Sequence, residues 1–227
     1  MNPSDQRLIV LLDRVSAAEA ALLDPLYDRH GIIRGGSVET LVRAIRLDGS
    51  NTLASTLRGG VGVGYDAVVQ GVARRLKLDV SGSPTEVQLE RAVLDAVLGR
   101  IFDQGTPAWQ AEVLGGVQTT SLAEPLRTGR WVPGSLQVMV RDVGSDEVAY
   151  VVGQIVARAV GYGAAREAAK RLAGTAGLAV PLVNVAMIGW TVWDLAGPAF
   201  RKTMPTVVEV ALLRLRFGAE RVAGPPS

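Results

Sequence analysis

The feature that most constrains this fold is a stretch of 22 residues, 172–193, that contains no Asp, Glu, Lys or Arg. A helix that spans a bilayer needs about 20 apolar residues, so this stretch is long enough to cross one. Pro181 and Asn184 lie near its middle and Gly and Ala fill several positions, so it is less apolar than a Leu-rich anchor. We therefore expect a segment that is either buried in the protein or enters a membrane only conditionally.

Small residues recur at every fourth position before and within this stretch. That spacing puts them on one helix face, where another helix backbone can approach closely. In a membrane such a face would mediate self-association, and in water it would serve tight packing in an ordinary bundle, so both interpretations stay open. The predicted close-packing face consists of Gly161, Ala165, Ala169, Ala173 and Gly177.

The sequence also predicts which residues would meet lipid. Aromatic side chains at one end of the stretch suit a membrane interface, and cations at the other suit anionic headgroups at about 1 kcal/mol per well-placed charge. The predicted inserting residues are Leu178, Val180, Pro181, Leu182, Val183, Val185, Ile188, Trp190 and Trp193. The predicted lipid-facing basic residues are Arg166, Lys170, Arg171, Arg201 and Lys202. In the alternative interpretation these are core tryptophans and a solvated turn.

A last apolar helix is predicted to open at Pro205 and to run to Phe217. Together with the uncharged stretch it would form a hairpin, joined by a short basic turn that contains Arg201 and Lys202. Two helices that are apolar nearly all round must be wrapped by amphipathic helices if they are to stay in water.

Amphipathic helices in the first hundred residues are predicted to supply this cover. Ser37 is expected to cap one of them. Ser83 and Glu86 are expected to form the capping box of a long helix, because Ser followed three residues later by Glu is typical of a helix start. Glu90 and Asp95 fall on the polar face of that helix, and we expect both in solvent.

The fold class predicted from these patterns is an all-α helical bundle. We expect an amphipathic shell over residues 1–114, a variable connection over 115–144 and a hydrophobic Gly- and Ala-rich hairpin region over 145–227, which forms one compact unit with the shell. Within the connection, apolar residues alternate with other residues as in a strand, at Leu136, Val138 and Val140.

The residues needed for common enzyme chemistry are scarce. The chain has no Cys and one His, which excludes disulfides, thiolate metal sites and Cys nucleophiles. His30 lies at a predicted helix end, where a contact with the helix dipole is expected. The cluster Gly59, Gly60, Gly62 and Gly64 lacks the Lys and Ser or Thr of a phosphate loop. We predict a non-enzyme with no catalytic, cofactor or metal site and, at a net charge of +2, no general nucleic-acid affinity.

Two segments resemble the YaaW-like family of uncharacterised bacterial proteins. They are residues 51–78, NTLASTLRGGVGVGYDAVVQGVARRLKL, and residues 194–215, DLAGPAFRKTMPTVVEVALLRL. The N-terminal half of that family is often described as similar to a ubiquinol–cytochrome c chaperone domain. The resemblance implies an all-helical fold and supplies no established catalytic residue.

Two functions fit these observations best, and an enzyme with an unrecognised site is the weaker third alternative. The first is a cytoplasmic bacterial protein whose hairpin enters the inner membrane or forms a pore after a trigger such as proteolysis, loss of a regulatory partner or lipid contact. The colicins and the Bcl-type regulators share that general design, and a toxic or defence effector role would follow from it. The alternative is a chaperone-like or assembly factor whose hairpin is permanent core and whose residues 37–102 form an exposed groove.

Overall fold

The computed structural model describes residues 2–50, 62–104, 130–160 and 198–218. The regular elements of these residues are all helical, which confirms the predicted all-α class. The helices are α1 (Pro3–Glu19), which continues into a 3-10 turn (Ala20–Leu23), α2 (Asp24–His30), α3 (Val38–Gly49), α4 (Tyr65–Arg75), α5 (Glu86–Gln104), α6 (Ser135–Val143), α7 (Ser145–Val160) and α8 (Pro198–Phe217). The predicted boundary between residues 114 and 115 lies outside the described residues.

Helix α8 occupies the centre of the bundle. It packs against α1, α2, α3, α4, α5 and α7. Buried side chains lie on almost every side of it, as a helix that is apolar nearly all round requires. They include Met204, Val207, Val208, Val210, Ala211, Leu213 and Leu215. The N-terminal helices therefore surround the last of the described helices.

Helix α8 begins earlier than the sequence predicts. Pro205 does not open the helix but lies inside it, buried in the core. Proline lacks the N–H that would bond the carbonyl four residues earlier, so the backbone hydrogen bond to residue 201 is missing. Arg201 and Lys202 belong to the helix and not to a turn, so the predicted basic turn is wrong at these two residues.

Side-chain capping marks the starts of α3 and α5. The predicted cap at Ser37 is confirmed, because its hydroxyl accepts a hydrogen bond from the backbone N–H of Thr40 at 3.3 Å. The predicted capping box of α5 is wrong. The Thr85 hydroxyl instead accepts from the N–H of Gln88 at 3.3 Å, and the Gln88 amide oxygen accepts from the N–H of Thr85 at 2.8 Å.

Residues 135–143 form a helix, so the strand-like alternation in the predicted connection is misleading. Leu136 and Met139 are buried and Val138 is exposed, so burial follows a helical spacing and not the alternation. The helix is positioned from α5, where the Asp95 carboxylate accepts hydrogen bonds from the N–H groups of Gly134 at 2.8 Å and Leu136 at 3.1 Å. Asp95 is thus a helix-capping residue and not the purely solvated acid that its place in the sequence suggests.

Two glycines provide a matched test of this packing. A Cβ at Gly49 would collide with the side chain of Val68 on α4, whereas a Cβ at Gly71 would meet nothing within 4 Å. We expect Gly49→Ala to lower the free energy of unfolding by about 1–3 kcal/mol, because Val68 is β-branched and stiff. Gly71→Ala is expected to raise it by about 0.5–1 kcal/mol through helix propensity. Urea unfolding measures both, and equal effects would contradict the close approach of α3 and α4.

Candidate functional site

The charged side chains of α8 reach partners in the N-terminal half of the chain. The structure describes four of them, which form ion pairs at 3.1, 2.6, 2.6 and 2.8 Å: Lys202 with Asp48, Glu209 with Arg29, Arg214 with Glu90, and Arg216 with Glu19. Because the partners lie on the N-terminal helices and at their ends, the pairs fix both the position and the rotation of α8. We take this set of contacts as the candidate site.

The most enclosed of these pairs joins Arg214 to Glu90. The guanidinium donates from Nε to Oε2 at 2.6 Å and from Nη2 to Oε1 at 3.1 Å, and Glu90 is 0% exposed. Burial raises the pKa of Glu90, while Arg214 opposes the rise by stabilising the carboxylate. The prediction that Glu90 lies in solvent is wrong, because α8 covers this side of α5.

Tyr65 of α4 is enclosed beside the same pair. Burial raises the pKa of its phenol well above the ordinary value, and the negative charge of Glu90 acts in the same direction. The backbone N–H of Tyr65 donates to Asp5 at 2.8 Å, which ties the start of α4 to α1. Four helices therefore meet at the C-terminal end of α8.

The Arg29–Glu209 pair is the second enclosed contact. Burial raises the pKa of Glu209, and the Arg29 guanidinium opposes the rise. A carboxyl with a raised folded-state pKa binds its proton more tightly in the folded than in the unfolded chain. Its contribution to stability is therefore present at low pH and is lost as the pH rises through that pKa. Acidification alone does not weaken α8 through Glu209 or Glu90.

His30 lies at the opposite end of α8 from Arg214. It ends α2, as predicted, but its imidazole contacts the side chains of α3 and α8. Nδ1 lies 2.7 Å from the carboxylate of Asp48, and Nε2 lies 2.9 Å from the hydroxyl of Thr206. The pKa of His30 is lowered by burial and by the nearby cations Arg29 and Lys202, against the opposing effect of Asp48.

The distances among Asp48, His30 and Thr206 match those of a catalytic acid–imidazole–hydroxyl relay. Thr206, however, is 0% exposed and lies in the interior of α8. The backbone N–H groups around it serve the helix, so they are not arranged as an oxyanion hole. In this conformation the relay joins three helices and presents no hydroxyl that a substrate can reach.

Within residues 2–50, 62–104, 130–160 and 198–218, no three His, Asp or Glu residues are grouped so that they could hold a metal ion. Among the helices that the structure describes, none combines the length and the apolarity that a membrane crossing requires.

Most of the predicted membrane residues lie outside the described residues. These are the close-packing face (161–177), the inserting residues (178–193) and the basic residues Arg166, Lys170 and Arg171. Of the basic residues that are described, Arg201 lies early in α8, and the Lys202 side chain pairs with Asp48 while remaining 46% exposed.

Sequence reasoning missed the residues that hold α8, although one signal was present. Glu209 is a single acid within an apolar run, and acids are rarely buried unless they are paired. The run therefore indicates a buried cationic partner, but it does not identify Arg29, which lies 180 residues earlier.

The chain is similar to a bacterial protein described as "UPF0174 protein", from Helicobacter pylori strain J99. The two are 27% identical over 195 residues, which cover 84% of this chain and 76% of the relative. This match supports a bacterial origin, and the resemblance to the YaaW-like family stays a prediction. No protein-family profile and no solved structure matches the chain.

The Glu90–Arg214 pair can be tested by a double-mutant cycle. We expect Arg214→Met to lower the free energy of unfolding by about 3–5 kcal/mol, because it leaves the Glu90 carboxylate buried and unpaired. The double variant Glu90→Leu with Arg214→Met is expected to recover most of that loss, because no buried charge remains. Arg141→Met is the control, since the Arg141–Asp142 pair is exposed and is worth about 0–1 kcal/mol. A double variant no more stable than Arg214→Met would contradict a buried pair.

Proposed function

We propose that this is a non-enzymatic helical protein that resides in the bacterial cytoplasm and associates conditionally with the inner membrane through its C-terminal region. Release of α8 from the N-terminal helices is the central step. It would free the uncharged stretch 172–193, which is separated from the start of α8 by four residues, 194–197, to enter anionic lipid.

The observation that supports this proposal is the way in which α8 is enclosed by the other helices. A helix with buried apolar side chains on nearly every side lies inside amphipathic helices, and its charges are neutralised by the surrounding helices and their ends. An apolar helix enclosed in this way allows one chain to be stable in water and, after the helix is released, to bind lipid. Lipid would act as a ligand that shifts the population from the enclosed to the released state.

Lipid binding and self-association would follow release. Lys202, freed from Asp48, would join Arg166, Lys170, Arg171 and Arg201 in attracting anionic headgroups. The small-residue face from Gly161 to Gly177 would then bring copies of the chain together in the membrane. A protease or a regulatory protein that displaces α8 would act as the trigger, and permeabilisation would make the protein a toxic or defence effector.

A chaperone-like or assembly factor is the second candidate. It is favoured by the packing of α8 against α3, α4 and α5, which is the packing of a core helix. Because α8 fills the groove that was expected to be exposed within residues 37–102, a client would have to bind another surface of the protein. In this alternative α8 is permanent core, and no condition that keeps the protein folded moves it. The two functions therefore differ in whether α8 leaves the bundle.

Flotation with lipid vesicles tests the first function. We expect the full-length chain to float with phosphatidylglycerol vesicles, but not with phosphatidylcholine vesicles, at pH 5.5 or after limited proteolysis. A charge in the apolar core of a bilayer costs about 2.5–3.5 kcal/mol. Val185→Asp is therefore expected to weaken flotation by about 100-fold.

The control is Val10→Asp, because Val10 is exposed on α1, far along the chain from the predicted inserting stretch. Circular dichroism and urea unfolding establish that both variants are folded before vesicles are added. Absence of flotation under every condition, or equal flotation of both variants, would refute membrane association and leave the assembly factor as the better account.

A further inference from the structure

Five ionisable side chains lie along the N-terminal and middle turns of α8, and we call them the His30 cluster: Arg29, His30, Asp48, Lys202 and Glu209. Arg29 pairs with Glu209 at 2.6 Å, and Lys202 pairs with Asp48 at 3.1 Å. The two cations and the two carboxylates balance, so the cluster is neutral only while His30 is neutral. A proton on His30 therefore adds an uncompensated positive charge to a side chain that is 0% exposed.

The imidazole of His30 can form its two hydrogen bonds in either protonation state. In the neutral form, Nδ1–H donates to Asp48 and Nε2 accepts from the Thr206 hydroxyl. In the charged form, Nε2–H donates to Thr206, whose hydroxyl then donates to the carbonyl of Lys202 at 2.8 Å. Because both forms are satisfied, what separates them is the cost of enclosing the charge beside Arg29 and Lys202.

Pro205 makes the start of α8 separable from the rest of the helix. It removes the backbone hydrogen bond to the carbonyl of residue 201, so residues 198–204 are joined to the remaining turns by one hydrogen bond fewer. The contacts on this short segment include the half-exposed Lys202–Asp48 pair, whereas the buried Glu90–Arg214 pair lies beyond the proline. The weak end of α8 is therefore the end that follows residues 172–193.

We propose that residues 198–206 of α8 form a proton-operated latch, in which protonation of His30 opens the first turns of the helix while the turns around Arg214 stay docked. The role of this latch as a trigger for membrane association rests on the proposed function, in which α8 must leave the bundle. Opening of residues 198–206 itself requires no lipid. The groups that face His30 are Asp48 from α3, Thr206 and Lys202 from α8, and its neighbour Arg29, which is paired with Glu209.

The direction of the pH effect on the latch follows from the difference in proton affinity of His30 between the closed and the open state. The closed latch binds the His30 proton less tightly than the open chain does, because burial and the cations lower the pKa of His30. The latch is therefore fully stable above pH 6.5 and weakens as the pH falls toward the closed-state pKa. Glu90 and Glu209 act in the opposite direction, so the effect of His30 is isolated by comparison with a variant that lacks only the imidazole.

The test uses the full-length chain without lipid. His30 is the single histidine, so its imidazole gives one NMR titration. Hydrogen–deuterium exchange, corrected for intrinsic rates, then compares peptides covering residues 198–206 and 207–217 at pH 7.5 and 5.5. We expect protection of 198–206 to fall by up to about tenfold, the limit that one proton sets between pH 6.5 and 5.5. Protection of 207–217 does not fall, because Glu90 and Glu209 favour the docked helix as the pH decreases. His30→Gln abolishes the fall in protection of 198–206.

A second variant keeps the proposal testable if His30→Gln does not fold. Lys202→Met, at a half-exposed position, removes a cation that faces His30 and is expected to raise its pKa and to reduce the pH-dependent loss of protection. A His30 pKa of 6.5 or higher, or the same loss of protection in His30→Gln as in the unaltered chain, would overturn the latch. Opening of the latch without vesicle flotation would refute the membrane function alone, and flotation with pH-independent protection would refute the latch alone.

Discussion

Helix α8 can occupy the centre of this bundle because its enclosed charges meet opposite charges on the N-terminal helices. A buried charge without a partner is expensive, whereas a buried pair with two hydrogen bonds is close to neutral in its net effect on stability. Glu209 and Arg214 therefore add specificity more than stability, and only one position and rotation of α8 satisfies both Arg29 and Glu90. The apolar side chains between them supply the driving force for burial.

The attachment of α8 is uneven along its length. Its C-terminal half carries the enclosed pair with Glu90, beside the buried phenol of Tyr65. Its N-terminal end has a half-exposed ion pair and an interior proline, and it lies against the buried imidazole of His30 from α2. Local openings start where buried apolar contacts and backbone hydrogen bonds are fewest, so the first turns of α8 are the natural starting point for any release.

The sequence predicts the all-α class and the cap at Ser37, because periodicity and capping are local properties. It does not predict the roles of Glu90 and Asp95, because their partners lie far along the chain: Arg214 is 124 residues from Glu90, and Leu136 is 41 residues from Asp95. The strand-like pattern at residues 136–140 is too short to outweigh a helix cap supplied by α5. Proline is typical of a helix start, so the sequence places Pro205 there. Its position inside α8 becomes visible only in the packed structure.

The most direct test of this account is the distance between α8 and α1 before and after lipid is added. The chain has no native Cys, so Val10→Cys with Phe217→Cys places spin labels at two chosen positions. These positions are close in the folded protein, because Arg14, one turn from Val10, donates a hydrogen bond to the carbonyl of Phe217 at 2.7 Å. Pulsed electron paramagnetic resonance should give one short distance in water, replaced by longer distances on anionic vesicles that bind the protein. A short distance that persists in the vesicle-bound protein would contradict release of α8.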